Sequence, residues 1–190
     1  MSYTTTTSYG TWCNRVNQYS TSPDADIEDY VGGGDSEWVE RLEKSGALEE
    51  IKADFRAAIN AALPDSVSLC GDEFIGPAYP EDDEFDGYPV DEHDVLDFKA
   101  IVDAISLEEI VEVNDPVTLE EIGRWEIGSK AQNPAKVASA AMSRAGVKPY
   151  TYLPHPESGR PQAIYLKGAV REALAKRPGR GKRTDLKDAE

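Results

Sequence analysis

The residues best suited to chemistry in this chain are a stripe of cations and hydroxyls in its last third. Lys136, Ser139, Ser143 and Arg144 recur at spacings that place them on one side of a helix. Lys136, Ser139, Ala140, Ser143 and Arg144 project to one face, and Pro134, Val137, Ala138, Ala141 and Ala145 to the other, with Met142 at the edge. Short hydroxyls flanked by cations suit the major groove of DNA. There Arg or Lys reads guanine, Ser pairs with either base type, and Ala140 can touch a thymine methyl. Arg160 stands in the turn-rich stretch Pro154 to Gln162, where a cation positions phosphate rather than reading sequence. The run from Lys176 to Arg183 holds Lys176, Arg177, Arg180, Lys182 and Arg183, five cations in eight residues, and reads as a basic arm for the DNA backbone. An ordinary amphipathic helix has the same polar face, so the reading leans on its surroundings.

A second cluster is acidic. Glu81 to Asp94 is dense in carboxylates and carries Tyr79, Phe85 and Tyr88 within or beside it. Carboxylates steer a basic partner and aromatics anchor it, which makes Tyr79, Phe85 and Tyr88 candidate protein-binding residues. Asp82, Glu84, Asp86 and Gly87 follow the opening of a calcium loop, but its twelfth position is His93 and Pro89 interrupts it. Gly32-Gly33-Gly34 lacks the Lys-Ser/Thr that a phosphate cradle requires. Of the two histidines neither is near Cys13 or Cys70, so no nucleophile–base pair can be argued. The expectation is a protein without catalytic activity, metal or cofactor.

Charge separates the two clusters. Residues 1–115 hold 6 Lys+Arg against 28 Asp+Glu, a net of −22, whereas residues 116–190 hold 14 against 8, a net of +6. The overall value of −16 conceals this asymmetry, and the asymmetry admits nucleic acid as a partner of the last third alone. The acidic part repels DNA and attracts basic surfaces over distances set by salt. It can recruit a basic protein, mimic DNA in the channel of a basic host protein, fold back on the basic part, or simply be a soluble acidic domain. The first ten residues lack an apolar leader segment and no 18-residue apolar run occurs, so a soluble cytoplasmic protein with no membrane partner is expected.

The elements that must position these residues are punctuated unevenly. Residues 1–34 are polar and turn-rich. Asp35-Ser36 caps a helix through Trp38 and Leu42 to Gly46, and Leu48, Ile51, Phe55, Ile59 and Ala62 mark a second that ends before Pro64. Val67 to Cys70 suggests a short strand, Val95 to Ile105 a helix, and Ser106 caps another. Asn114-Asp115-Pro116 reads as a turn and a domain boundary. Thr118 to Glu121 is a capping box opening a helix through Ile122, Trp125 and Ile127, and the apolar face of the next helix should pack on this Ile122/Trp125 helix. Gly128 to Gln132 makes a turn, Asn133-Pro134 starts the second helix and Gly146 stops it. Tyr150 to Leu153 and Ala163 to Leu166 are β-prone runs, and Lys167 to Lys176 is a closing helix.

Helix, turn, helix, strand, loop, strand, helix is the order of a small winged helix–turn–helix. Thr118-Leu119-Glu120-Glu121-Ile122 followed by Asn133-Pro134-Ala135-Lys136-Val137 resembles the DNA-binding region of excisionase-like and MerR-like regulators. Ser158-Gly159-Arg160-Pro161-Gln162-Ala163-Ile164-Tyr165 and the helix Ala169 to Leu174 resemble their wing and closing helix. Gly128 to Gln132 is longer than the turn of that family. The resemblance covers about 65 residues and implies duplex DNA as partner and a role in transcription or recombination in phages and plasmids. The sequence therefore predicts an α+β chain: an acidic, mostly helical domain over 1–115, a winged helix–turn–helix over 116–177 and a basic tail over 178–190. Its expected function is DNA-binding regulation in a mobile element. The alternative is an acidic DNA mimic that inhibits a basic nucleic-acid-binding host protein.

Overall fold

A computed structural model of the 190-residue chain describes residues 4–12, 22–77 and 98–176. The fold is α+β and divides into two compact units, Met1–Glu112 and Val113–Glu190. The division falls three residues before the charge break.

In the first unit, β1 (Thr4–Ser8), β2 (Ser68–Cys70) and β3 (Glu73–Pro77) form an antiparallel sheet in the order β1-β3-β2. Helices α1 (Tyr9–Trp12), α2 (Pro23–Gly32), α3 (Ser36–Ser45), α4 (Ala47–Ala62), α5 (Phe98–Asp103) and α6 (Leu107–Val113) complete its elements, the last ending at the division. Residues 1–34, expected to be irregular, contain both β1 and α2. Ser22 caps α2 through its hydroxyl, which accepts from Ala25 N at 3.0 Å, and Pro23 occupies the first turn. Ile27 and Val31, four residues apart, then face the core together. Asp26 is also fully buried, and the Tyr9 hydroxyl donates to it at 2.6 Å. A buried carboxylate needs such donors, and its presence is what hid the apolar face of α2 from periodicity.

Asp35 and Gly46 bound α3 as expected, and Gly46, at φ 82°, both ends α3 and starts α4. Ile51, Phe55 and Ile59 of α4 are buried, while Asn60 exchanges two hydrogen bonds with the backbone of Leu69 and so fixes α4 on β2. Tyr9, Phe74 and Phe98 stack in series, with centroids 6.0 and 4.2 Å apart. Arg56 donates to Asp24 at 2.8 Å, to Asp72 at 3.0 Å and to the Gly71 carbonyl, tying α2 to the β2–β3 turn.

The turn expected at Asn114-Asp115-Pro116 is made by Asn114 and Asp115, between α6 and the next strand, and Pro116 itself opens β4 (Pro116–Thr118), paired through Pro116↔Leu166 with β6 (Pro161–Leu166). Proline is tolerated because β4 is an outer strand and no ladder bond needs its missing N–H. The sheet is completed by β5 (Thr151–Pro154), in the antiparallel order β4-β6-β5. The helices are α7 (Leu119–Glu121), which runs on into a π-helical turn at Ile122–Glu126, then α8 (Pro134–Ala145) and α9 (Lys167–Ala175). Val117, Ile122, Ala138, Ala141, Met142, Tyr165 and Val170 form the core, with Leu119, Ile127, Val147, Ala163 and Leu174 packed against it. Among the described residues no helix is long and apolar enough to cross a membrane.

Candidate nucleic-acid interface

The expected second helix exists with both its punctuation marks. The Asn133 side chain accepts from Lys136 N at 2.9 Å, Pro134 sits in the first turn, and Gly146 ends the helix at φ 70°. Ala138, Ala141 and Met142 are buried, while Lys136, Ser139, Ala140, Ser143 and Arg144 are all exposed on the opposite side. Two positions differ from the projection. Met142 is 1% exposed and belongs to the core rather than its edge, whereas Ala145, in the last turn, is exposed.

A larger correction concerns Trp125, expected to join Ile122 under α8. It is 72% exposed. The cause is the π turn: Ile127 N donates to the Ile122 carbonyl at 2.9 Å, five residues back rather than four. In an α-helix Trp125 would share the Ile122 face. The wider turn swings Trp125 out and brings Ile127 round to pack against the core in its place. Gly123 lies one position beyond Ile122 and meets α8 directly: a Cβ there would be 2.3 Å from the Pro134 carbonyl oxygen. The first helix therefore docks on α8 through backbone and Ile122, not through an Ile/Trp pair.

The loop between β5 and β6 is closed by His155 N donating to Arg160 O and Gly159 N to His155 O, both at 2.8 Å. His155 Nδ1 also accepts from the backbone N–H groups of Glu157 and Ser158 at 3.2 and 3.4 Å, so this imidazole shapes the loop from within. Gly159, at φ 66°, makes the reversal that leaves Arg160 exposed at the loop's return.

Carboxylates of this unit engage nearby cations selectively. Arg124 pairs with Glu120, Arg171 with Glu126, and Lys176 with Glu172. Glu172 is held below the usual carboxylate range by its hydrogen bond from Lys176 and by the charge of the same ammonium. Among the described residues, Lys130, Lys136, Arg144, Lys148 and Arg160 have no ion-pair partner. These five lie on α8, its flanking turns and the β5–β6 loop. Lys136, Arg144 and Arg160 were expected as contacts, whereas Lys130 and Lys148 were missed because they belong to no periodic segment. Lys176 is exposed but already paired. Arg177, Arg180, Lys182 and Arg183 lie outside the described residues, as do Tyr79, Phe85 and Tyr88 of the acidic cluster, along with His93.

No protein-family profile, no curated protein and no solved structure matches this chain.

Proposed function

We propose that this chain is a DNA-binding regulatory protein, a transcriptional regulator or recombination accessory factor of a mobile element, acting in the cytoplasm without catalysis or cofactor. The observation that supports this reading is the outer face of α8: small side chains at Ser139, Ala140 and Ser143 between the unpaired cations Lys136 and Arg144. Small residues let a helix approach base edges closely, and the cations meet bases or phosphate. Arg160 holds the backbone beside the wing, and Lys176, Arg177, Arg180, Lys182 and Arg183 add contacts that set affinity rather than sequence. The likeness to excisionase-like and MerR-like regulators, carried by Thr118 to Ile122 and Asn133 to Val137, points to the same partner.

The test is a gel-shift titration of the full chain on duplex DNA at low ionic strength, with Ser143→Glu as control. That carboxylate would face the phosphates across a desolvated contact, and binding should be lost with the melting temperature unchanged. Binding that survives Ser143→Glu would remove α8 from the interface.

A net of −22 over residues 1–115 favours a second reading, in which the acidic unit occupies the nucleic-acid channel of a basic protein through Tyr79, Phe85 and Tyr88. Flow-through of the full chain on heparin at low salt would select this reading over the first.

A further inference from the structure

Carboxylates are distributed unevenly within residues 116–190. All eight fall outside the 30-residue stretch from Ile127 to Pro156, which holds Lys130, Lys136, Arg144 and Lys148. That stretch comprises the turn before α8, α8 itself, the return after it, β5 and the start of the β5–β6 loop, and Glu157 is its boundary. The carboxylates of the first helix and of α9 are engaged elsewhere. Glu120 pairs with Arg124, Glu126 reaches Arg171 on α9 at 3.1 Å, Glu172 pairs with Lys176, and Glu121 accepts from Thr118 N at 2.7 Å in the capping box. The four cations of the stretch are all exposed, and none has an ion-pair partner among the described residues.

Lys130 and Lys148 stand just outside the two ends of α8. Lys130 precedes the Asn133 cap by three residues and Lys148 follows Gly146 by two, so chain length alone holds them within about 11 and 7 Å of those caps. Ser129 N donates to the Gly123 carbonyl at 2.9 Å, and the Ser129 hydroxyl accepts from Ala131 N at 3.2 Å, which fixes the backbone on both sides of Lys130. At the other end Val147 N donates to the Met142 carbonyl at 3.0 Å and its side chain packs against the core, which keeps the return close to the helix. The 12 residues of α8 span about 18 Å at about 1.5 Å per residue, against a major groove about 12 Å wide. A helix longer than the groove is wide brings the chain beyond each of its ends against the flanking phosphates.

We propose that Lys130 and Lys148 hold the DNA backbone at the two ends of α8, one phosphate each, while the outer face between them meets the bases. This rests on the DNA-binding reading above. The chemistry is that of an ammonium point charge. It meets a phosphate oxygen from many directions and displaces a condensed counterion, so it adds affinity without sequence preference.

The experiment titrates the full chain against two fluorescein-labelled duplexes of unrelated sequence at several salt concentrations, comparing the unaltered protein with Lys130→Gln, Lys148→Gln and Arg124→Gln. Each lysine variant should flatten the slope of log affinity against log salt by about 0.9, the value for one phosphate contact, and weaken binding of both duplexes by the same factor. Arg124→Gln removes a cation already paired with Glu120 and should leave the slope unchanged. Melting temperatures should match the wild type throughout, because all three side chains are exposed. An unchanged slope in either lysine variant would overturn the two-ended grip while leaving the DNA-binding reading intact. So would equal flattening in Arg124→Gln, which would show that net charge rather than place governs binding. No binding of either duplex by the unaltered chain would instead remove the DNA-binding reading, and this proposal with it.

Discussion

Gly123 and Pro134 meet with no room for a side chain between them: a Cβ on Gly123 would stand 2.3 Å from the Pro134 carbonyl oxygen and 2.8 Å from its Cβ. Backbone is the obstacle, so no rotamer change relieves the clash. Gly123→Ala should therefore destabilise the second unit by about 1–3 kcal/mol, the usual range for overpacking. Thermal denaturation followed by circular dichroism measures it. A wild-type melting temperature would show that the two helices separate at little cost.

Trp125 gives the converse expectation. Because it is largely exposed, Trp125→Ala should change stability by less than about 0.5 kcal/mol, as at ordinary surface positions. The same denaturation experiment applies, and a loss of several kcal/mol would place the indole in the core and dismiss the π turn.

The Tyr9–Asp26 hydrogen bond is buried at both ends. Tyr9→Phe removes a donor from a carboxylate that solvent does not reach, and should cost about 1–3 kcal/mol. Urea denaturation of the two proteins gives the difference, and equal midpoints would show that the remaining interactions of Asp26 suffice.

Alkaline pH should act on the second unit through Tyr165. Burial, with Tyr152 adding to it, raises its phenol above the ordinary value of 10.0, so the folded state keeps a proton that the unfolded chain releases. Stability is then unaffected below pH 10.0 and falls as pH rises from there through the raised value. Melting temperatures of the wild type and Tyr165→Phe across that window should converge or cross as pH rises. Parallel curves would mean that Tyr165 does not couple to folding.

Removing the acidic unit should strengthen duplex binding. The fragment must begin at Val113 rather than at the charge break, because Lys167 N donates to Asp115 O at 3.0 Å and Gly168 packs against Val113. Residues 1–112 hold 6 Lys+Arg against 27 Asp+Glu; without that net of −21 the repulsion of phosphate disappears, and affinity at low salt should exceed that of the full chain. Equal affinities in a fluorescence titration would show that the acidic residues exert no such field on the interface.

Sequence was informative where capping and amphipathic period agree. Asp35, Gly46, Thr118, Asn133 and Gly146 each mark a helix end in the structure, and the polar face of α8 is exposed as projected. It was misleading where one residue obeys a constraint from elsewhere in the chain. Asp26 interrupts the apolar face of α2 because Tyr9 supplies its donor, and Pro116 imitates a linker because an outer strand tolerates it. Trp125 departs from the face that regular helical period assigns it because the turn there closes over five residues. Nothing local announces a bond five residues back. That Lys130 and Lys148 carry no ion pair among the described residues is equally invisible in sequence, since only three-dimensional pairing separates them from Arg124 and Arg171.

The π turn also has a bearing on how this segment can vary. A helical turn closed over five residues holds one more residue than an ordinary turn between Ile122 and Ile127, the two side chains that reach the core. A chain one residue shorter could keep both isoleucines in place with a regular turn between them. A one-residue deletion here would thus leave both isoleucines on the core, in the middle of a helix, where length is normally held constant. Sequences aligned across this region without permitting a gap inside the first helix would slip by one position. The register of everything after it, α8 and its cations included, would then be misread.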